Sequence, residues 1–287
     1  DNLEKGIEVL VNLAHRGACG SDPKTGDGAG ILLQMPHAFL QRQCAALGIA
    51  LPPPGEYGVG MLFLPPDPRQ RQTCQAIFQR VVEAEGQRLL GWRDVPVDDS
   101  DIGHTARESQ PFIRQVFIAR GPQVQDEAHF ERKLYVIRRV MERAADQLDP
   151  EIRDHFYIPS LSCNRIVYKG LLMGAQLKGF YPDLSDPSMV SAFALVHARF
   201  STNTLGSWRL AHPYRLICHN GEINTLRGNI NWMTARQAMF SSPLFGDDMK
   251  KLFPIITPGA SDTACFDNAL ELLLATGRSL PHALMMM

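Results

Sequence analysis

The sequence has no initiator methionine, no charged leader before an apolar segment, no CxxC pair and no run of basic residues. Its longest apolar stretches, such as Val190 to Val196, fall far short of the roughly 20 residues a membrane-spanning helix needs. A soluble protein is expected, with no membrane partner. Six cysteines without paired spacing argue against a zinc ribbon and against a dense disulfide framework, and they suit a reducing, cytoplasmic compartment. Twenty-nine Lys+Arg against 30 Asp+Glu leave a net charge of −1, so no electropositive surface is expected to track a nucleic acid backbone. Hydrophobic residues at 45% and charged residues at 21% match a globular chain with a sizeable core.

Leu3, Ile7, Leu10 and Val11 recur at helical spacing and predict an amphipathic helix ending near Arg16. A glycine-rich loop from Gly17 to Gly30 follows and delivers the chain into a strand at Ile31 to Met35. Further strands are expected at Tyr57 to Leu64, Asp94 to Val97, Pro111 to Ala119, near Tyr157 and at Ile166 to Leu172. Ser191 to Ser201 and Tyr214 to His219 read as strands as well. Helices are expected at about 70–87, at 126–147 as a solvent-facing amphipathic helix, at 226–240, and at 263–276 with Phe266, Leu270, Leu273 and Leu274 on one face. With no internal repeat and no low-complexity linker, one continuous mixed domain over 1–287 is expected.

Three segments gather chemistry-bearing groups. Arg199 ends a strand in His197 to Thr204; its planar fork suits a carboxylate, and a surface ion pair is the plain alternative. Asn220-Gly221 can be a tight turn, or an oxyanion hole built from the Asn amide and the Gly N–H. Ser261 or Asp262 can cap the helix that follows, or Asp262 can hold an ammonium. A cation, an amide and an anion together suit a zwitterion with a reactive carbonyl.

Other patterns fail on spacing. Gly26-Asp27-Gly28-Ala29-Gly30 lacks GxGxxG and precedes a strand, and it has no Gly-Lys-Ser/Thr. Asp22 to Gly26 puts Lys and Gly where a calcium loop needs oxygen ligands. His212, Cys218 and His219 are weakened as a metal set, and Cys218–His219 as a dyad, if neighbouring strand residues point to opposite faces.

The runs His15 to Gly20, Thr25 to Gly30, Phe180 to Leu184, His197 to Thr204, His219 to Asn229 and Ser261 to Thr263 resemble, in order, the class II glutamine amidotransferase domain of glutamate synthases. The resemblance spans nearly the whole chain. It implies an α+β, four-layer αββα sandwich of the N-terminal-nucleophile hydrolase type that releases ammonia from L-glutamine. It implies Arg199 as clamp of the glutamine α-carboxylate, Asp262 as partner of its α-amino group, Asn220 and Gly221 as oxyanion hole, and Arg16 lining the site near the nucleophile. That nucleophile is an N-terminal Cys whose own α-amine, of pKa about 7.7–8.0, serves as base. Residue 1 is Asp, and both ends read as cut, so the fragment alone is expected to be inactive. For the parent protein the resemblance implies FMN, an iron–sulfur cluster, a synthase domain converting 2-oxoglutarate, and a small reductase subunit or ferredoxin as partner, with NADPH, NADH and ferredoxin all open as electron donor. The alternatives are an internal cysteine hydrolase using Cys19 with His15 or His197, and a degenerate binding domain.

Overall fold

A computed structural model describes residues 2–17, 22–199 and 206–287. In chain order the elements are α1 (Asn2–Asn12), β1 (Ala29–Gln34), α2 (His37–Ala46), β2 (Tyr57–Leu64), α3 (Pro68–Ala84), β3 (Arg88–Asp94), α4 (His104–Glu108), β4 (Phe112–Ala119) and α5 (Glu127–Asp146). They continue as α6 (Pro150–His155), β5 (Tyr157–Ser162), β6 (Arg165–Gly170), α7 (Leu177–Phe180), β7 (Ala194–Ala198), α8 (Leu226–Gln237), α9 (Asp262–Ala275) and α10 (Leu280–Met285).

The strands form two antiparallel sheets, ordered β6-β1-β7 and β3-β4-β2-β5. Strand β2 shows how they are covered. Its odd residues Val59, Met61 and Phe63 share one core with Ile31 and Leu33 of β1 and Ile166 and Tyr168 of β6. Its even residues Leu62 and Leu64 join a second core with Phe78 of α3 and Phe130, Leu134 and Ile137 of α5. The period of two thus places one sheet on one face of β2 and helices on the other. Helix α1 adds Leu3, Ile7 and Leu10 to the first core and packs beside β7.

A buried polar cluster ties the β3-β4-β2-β5 sheet to the turn after α7. Asp183 receives both arms of Arg93 at 2.7 and 2.8 Å and the Tyr168 hydroxyl at 3.0 Å, and Gln115 completes the set. The Phe180 to Leu184 run is therefore accounted for by packing: Phe180, Tyr181 and Leu184 lie in the first core around that carboxylate.

Most expected elements are present, and the exceptions have physical causes. The strand expected at Asp94 to Val97 lies earlier, at Arg88–Asp94, because its ladder partners on β4 run from Ala119 to Arg114. Val95 adds one more bond to Ile113, and Pro96 has no N–H with which to continue. Helix α5 is not merely solvent-facing: Arg138 is 1% exposed and pairs with Glu142 and Glu271. Helix α9 buries Asp267, Asn268 and Glu271 along with Leu270 and Leu272, whereas Phe266, Leu273 and Leu274 are only half-buried. Tyr214 to His219 is not a strand. The Tyr214 N–H closes a turn onto Ile217 O at 2.9 Å, which leaves no extended edge. Helix α8 forms as expected yet contributes no buried residue, and its Trp232 is 70% exposed.

Candidate functional site

Strand β7 delivers Arg199 to the site. The pairing of Ala29 with Ala198 and Gly30 with His197 brings the end of β7 against the glycine-rich loop, where the Arg199 N–H donates to Gly28 O at 2.8 Å. The Arg199 guanidinium, in a residue only 8% exposed, also donates to Asp27 O at 3.3 Å. Only glycine suits this junction. Gly28 has φ +134°, and a Cβ on Gly30 would stand 2.5 Å from His212 O and 2.8 Å from Tyr168 O.

The 218–223 segment runs alongside. Cys218 Sγ reaches Val196 O on β7 at 3.7 Å, so the Asn220-Gly221 pair emerges next to the strand that leads into Arg199. Asn220 and Gly221 are exposed. The Gly221 N–H donates to His219 Nδ1 at 3.1 Å, so offering it to a substrate oxygen requires that bond to open. A Cβ at Gly221 would meet nothing tighter than 3.4 Å, so any need for glycine there comes from the substrate's approach and not from the protein's own packing.

Asp262 closes the arrangement from α9. Ser261 caps this helix, accepting from the Ala264 N–H at 3.3 Å and meeting the Tyr214 hydroxyl at 2.9 Å. Asp262 Oδ2 accepts the Ile223 N–H at 3.1 Å, and Oδ1 accepts its neighbour's N–H, that of Thr263, at 2.7 Å. A carboxylate has about four acceptor positions, so these bonds leave capacity for an ammonium. Arg16 ends the short turn Ala14–Arg16, and a Cβ on the following Gly17 would stand 3.8 Å from the Ala198 side chain, at the same end of β7. The Arg16 side chain and Cys19 lie outside the described residues.

Two histidines that the sequence offered only as a metal ligand or as a base for Cys19, His212 and His197, lie behind the loop. His197 and His212 stack with ring centres 4.4 Å apart. Burial, then the neighbouring His219 and Arg199, lower the His197 pKa from 6.5 to about 4, while the Asn220 side chain turned toward it acts in the opposite sense. Burial, with His197, Lys169, Arg199 and His219 around it, lowers that of His212 to about 2. Both rings are neutral at pH 7. Lys169, fully buried, donates to Ala211 O at 2.7 Å and Arg209 O at 3.1 Å, and burial lowers its pKa well below the usual lysine range.

None of the described cysteines is poised to attack. Burial raises the thiols of Cys44, Cys74, Cys218 and Cys265 to about 11, and that of Cys163 further still beside Glu131. His15, proposed as a partner for Cys19, bonds its own helix through Asn12 O at 3.1 Å. The strand-alternation argument about Cys218 and His219 loses its premise, since that segment is irregular. Among the described residues no group of three or more His, Cys, Asp or Glu could hold a metal ion, and no helix is long and apolar enough to cross a membrane.

The profile of the family described as class-II glutamine amidotransferases matches residues 1–287. Over 289 residues, covering 100% of this chain and 18% of the relative, the sequence is 49% identical to the glutamate synthase [NADPH] large chain of Bacillus subtilis. It is 44% identical to the glutamate synthase [NADH] of Schizosaccharomyces pombe over 97% of this chain and 13% of the relative. It is 43% identical to the chloroplastic ferredoxin-dependent glutamate synthase 2 of Arabidopsis thaliana over 100% of this chain and 18% of the relative. The chain thus spans less than a fifth of the length of these relatives.

Proposed function

Since the chain belongs to the class II glutamine amidotransferases, we propose that it is the glutaminase domain of a glutamate synthase, hydrolysing L-glutamine to glutamate and ammonia. The observation that carries the site assignment is convergence. The end of β7 with Arg199, the exposed Asn220-Gly221 pair and the N-terminus of α9 with Asp262 are joined by direct contacts, although they are distant in sequence. A guanidinium and a carboxylate set around an amide donor match the two charges and the reactive carbonyl of a free amino acid amide.

Arg199 pairs with the α-carboxylate and Asp262 with the α-ammonium, which fixes the side-chain amide toward Asn220. As the tetrahedral intermediate forms, charge builds on the former carbonyl oxygen; the Asn220 amide and the Gly221 N–H, released from His219, stabilise it. The resemblance assigns Arg16, which ends the short turn after α1, to the neighbourhood of the nucleophile. The attacking thiolate is that of the cysteine which the family places before this stretch, with its α-amine taking the proton. The accompanying architecture is the four-layer αββα sandwich over a single 1–287 domain, supported by the two facing antiparallel sheets and by α3 and α5 over the β3-β4-β2-β5 sheet.

Ammonia passes to a synthase domain of the same polypeptide, in a cytoplasmic parent enzyme that takes electrons from a reductase subunit or ferredoxin. The FMN and iron–sulfur cluster belong to that other domain. The described residues of this chain do not fit a cluster, since their cysteines are dispersed, mostly buried and without a metal-ligating grouping.

The test uses the full-length polypeptide carrying the upstream cysteine. Asn220→Ala lowers kcat about 10²- to 10³-fold with little change in KM, the usual cost of one oxyanion donor. Arg199→Lys raises KM for glutamine strongly, because an ammonium cannot reproduce the paired N–H bonds of the fork. An unchanged KM in the Lys variant removes the carboxylate assignment, and equal changes in kcat and melting temperature without selectivity remove that of Asn220.

A further inference from the structure

Cys218 to Glu222 belongs to no helix or strand, so no ladder of backbone bonds fixes its position. What fixes it comes largely from α9. Asp267, 0% exposed, accepts three successive backbone N–H groups just upstream: Leu216 at 2.8 Å and Ile217 at 3.2 Å on Oδ1, and Arg215 at 3.3 Å on Oδ2. Asp262 accepts the Ile223 N–H just downstream at 3.1 Å. The two carboxylates are five positions apart on one helix, about 7.5 Å of rise. The exposed pair Asn220-Gly221 therefore hangs between two anchor points on the same rigid rod. Arg215, which begins the anchored stretch, is itself held: its guanidinium donates to Ile158 O at 2.7 Å and pairs with Glu142 at 3.1 Å.

We propose that Asp267 is a positioning residue for the oxyanion loop, setting through the 215–217 N–H groups where Asn220 and Gly221 stand relative to Arg199. This rests on the glutaminase reading. A buried carboxylate gathering three consecutive amide N–H groups holds backbone far more rigidly than solvent does, because each N–H, if released, would be left without a partner. Position matters here because misplacing a reacting group by about 1 Å can lower a rate about 10²-fold. Substrate affinity is spared, since neither Arg199 nor Asp262 hangs on Asp267.

The experiment has two arms. In the chain itself, Asp267→Ala speeds hydrogen exchange across 215–223 while the amides of β1, β2 and β4 stay protected. In the full-length polypeptide it lowers kcat for glutamine about 10- to 100-fold with KM changed less than about 2-fold. Asp267→Asn, whose carbonyl oxygen keeps the Leu216 and Ile217 bonds, regains most of that loss. Leu272→Ala, a buried truncation on the same helix that touches no loop amide, serves as the matched control for stability. Unchanged exchange at 215–223 in Asp267→Ala overturns the proposal, as does a kcat loss no greater than that of a Leu272→Ala protein of equal melting temperature. Faster exchange with kcat unchanged also overturns it. In that case Asn220→Ala separates the two readings: if it still costs kcat, the oxyanion assignment stands and only the role of Asp267 falls, and if it is silent, the site reading falls with it.

Discussion

Acidifying the protein from pH 7 to pH 5 should remove about 4 kcal/mol of stability through two buried rings alone. His197 and His212 are neutral when folded, with pKa lowered to about 4 and about 2, against 6.5 when exposed in the unfolded chain. Their stabilising contribution is complete above pH 6.5. It is lost as the pH falls toward 4, because only the unfolded state takes up the protons. At pH 5 the unfolded rings are almost fully protonated and the folded ones scarcely at all. At about 1.36 kcal/mol per pH unit for each proton, the difference is about 2 kcal/mol per histidine. Against a total stability of about 5–15 kcal/mol, that loss is large, and a domain of this size should melt about 8–16 °C lower. Urea titrations at half-unit steps from pH 7.5 to 4.5 measure the slope directly. His212→Phe keeps a ring against its neighbours at 4.4 and 4.8 Å but cannot titrate, so its slope should be about half that of the parent. Identical slopes for parent and variant between pH 6.5 and 5 would refute the reasoning.

Asp183→Ala should destabilise the protein by about 3–5 kcal/mol, since it strands the buried Arg93 guanidinium; denaturant midpoints check this, and a loss under 1 kcal/mol would show that the pair contributes little. Gly30→Ala should cost about 1–3 kcal/mol or more, because a Cβ 2.5 Å from a backbone oxygen forces β1 to move, and near-normal melting would contradict that geometry. Ser261→Ala should remove about 1 kcal/mol as a lost helix cap and should loosen Tyr214, visible as a change in near-ultraviolet circular dichroism. The purified 1–287 chain should release no ammonia from glutamine, and release above an Asn220→Ala control would reveal a nucleophile among its own residues.

Periodicity alone determined much of the frame. The helical stripe of α1 and the apolar run of β2 between Pro54 and Pro65 are local patterns, and local patterns survive in a sequence. The resemblance names Arg199, Asn220, Gly221 and Asp262 as a set from short runs that keep their order along the chain, and the fold brings the segments carrying them into contact. What the sequence could not show were contacts between distant segments. Tyr214 to His219 looks like a strand by composition, yet the N–H groups a strand would offer to a neighbour go instead to a carboxylate 50 residues away, that of Asp267. Arg138 and Asp267 look like surface charges, and they are buried because partners from other elements reach them. The neutrality of His197 and His212 arises in the same way, from burial beside Lys169 and Arg199, which only the folded chain brings together. Hydrophobic spacing reports which face of an element is covered; which distant group satisfies a buried polar atom is decided only when the chain closes on itself.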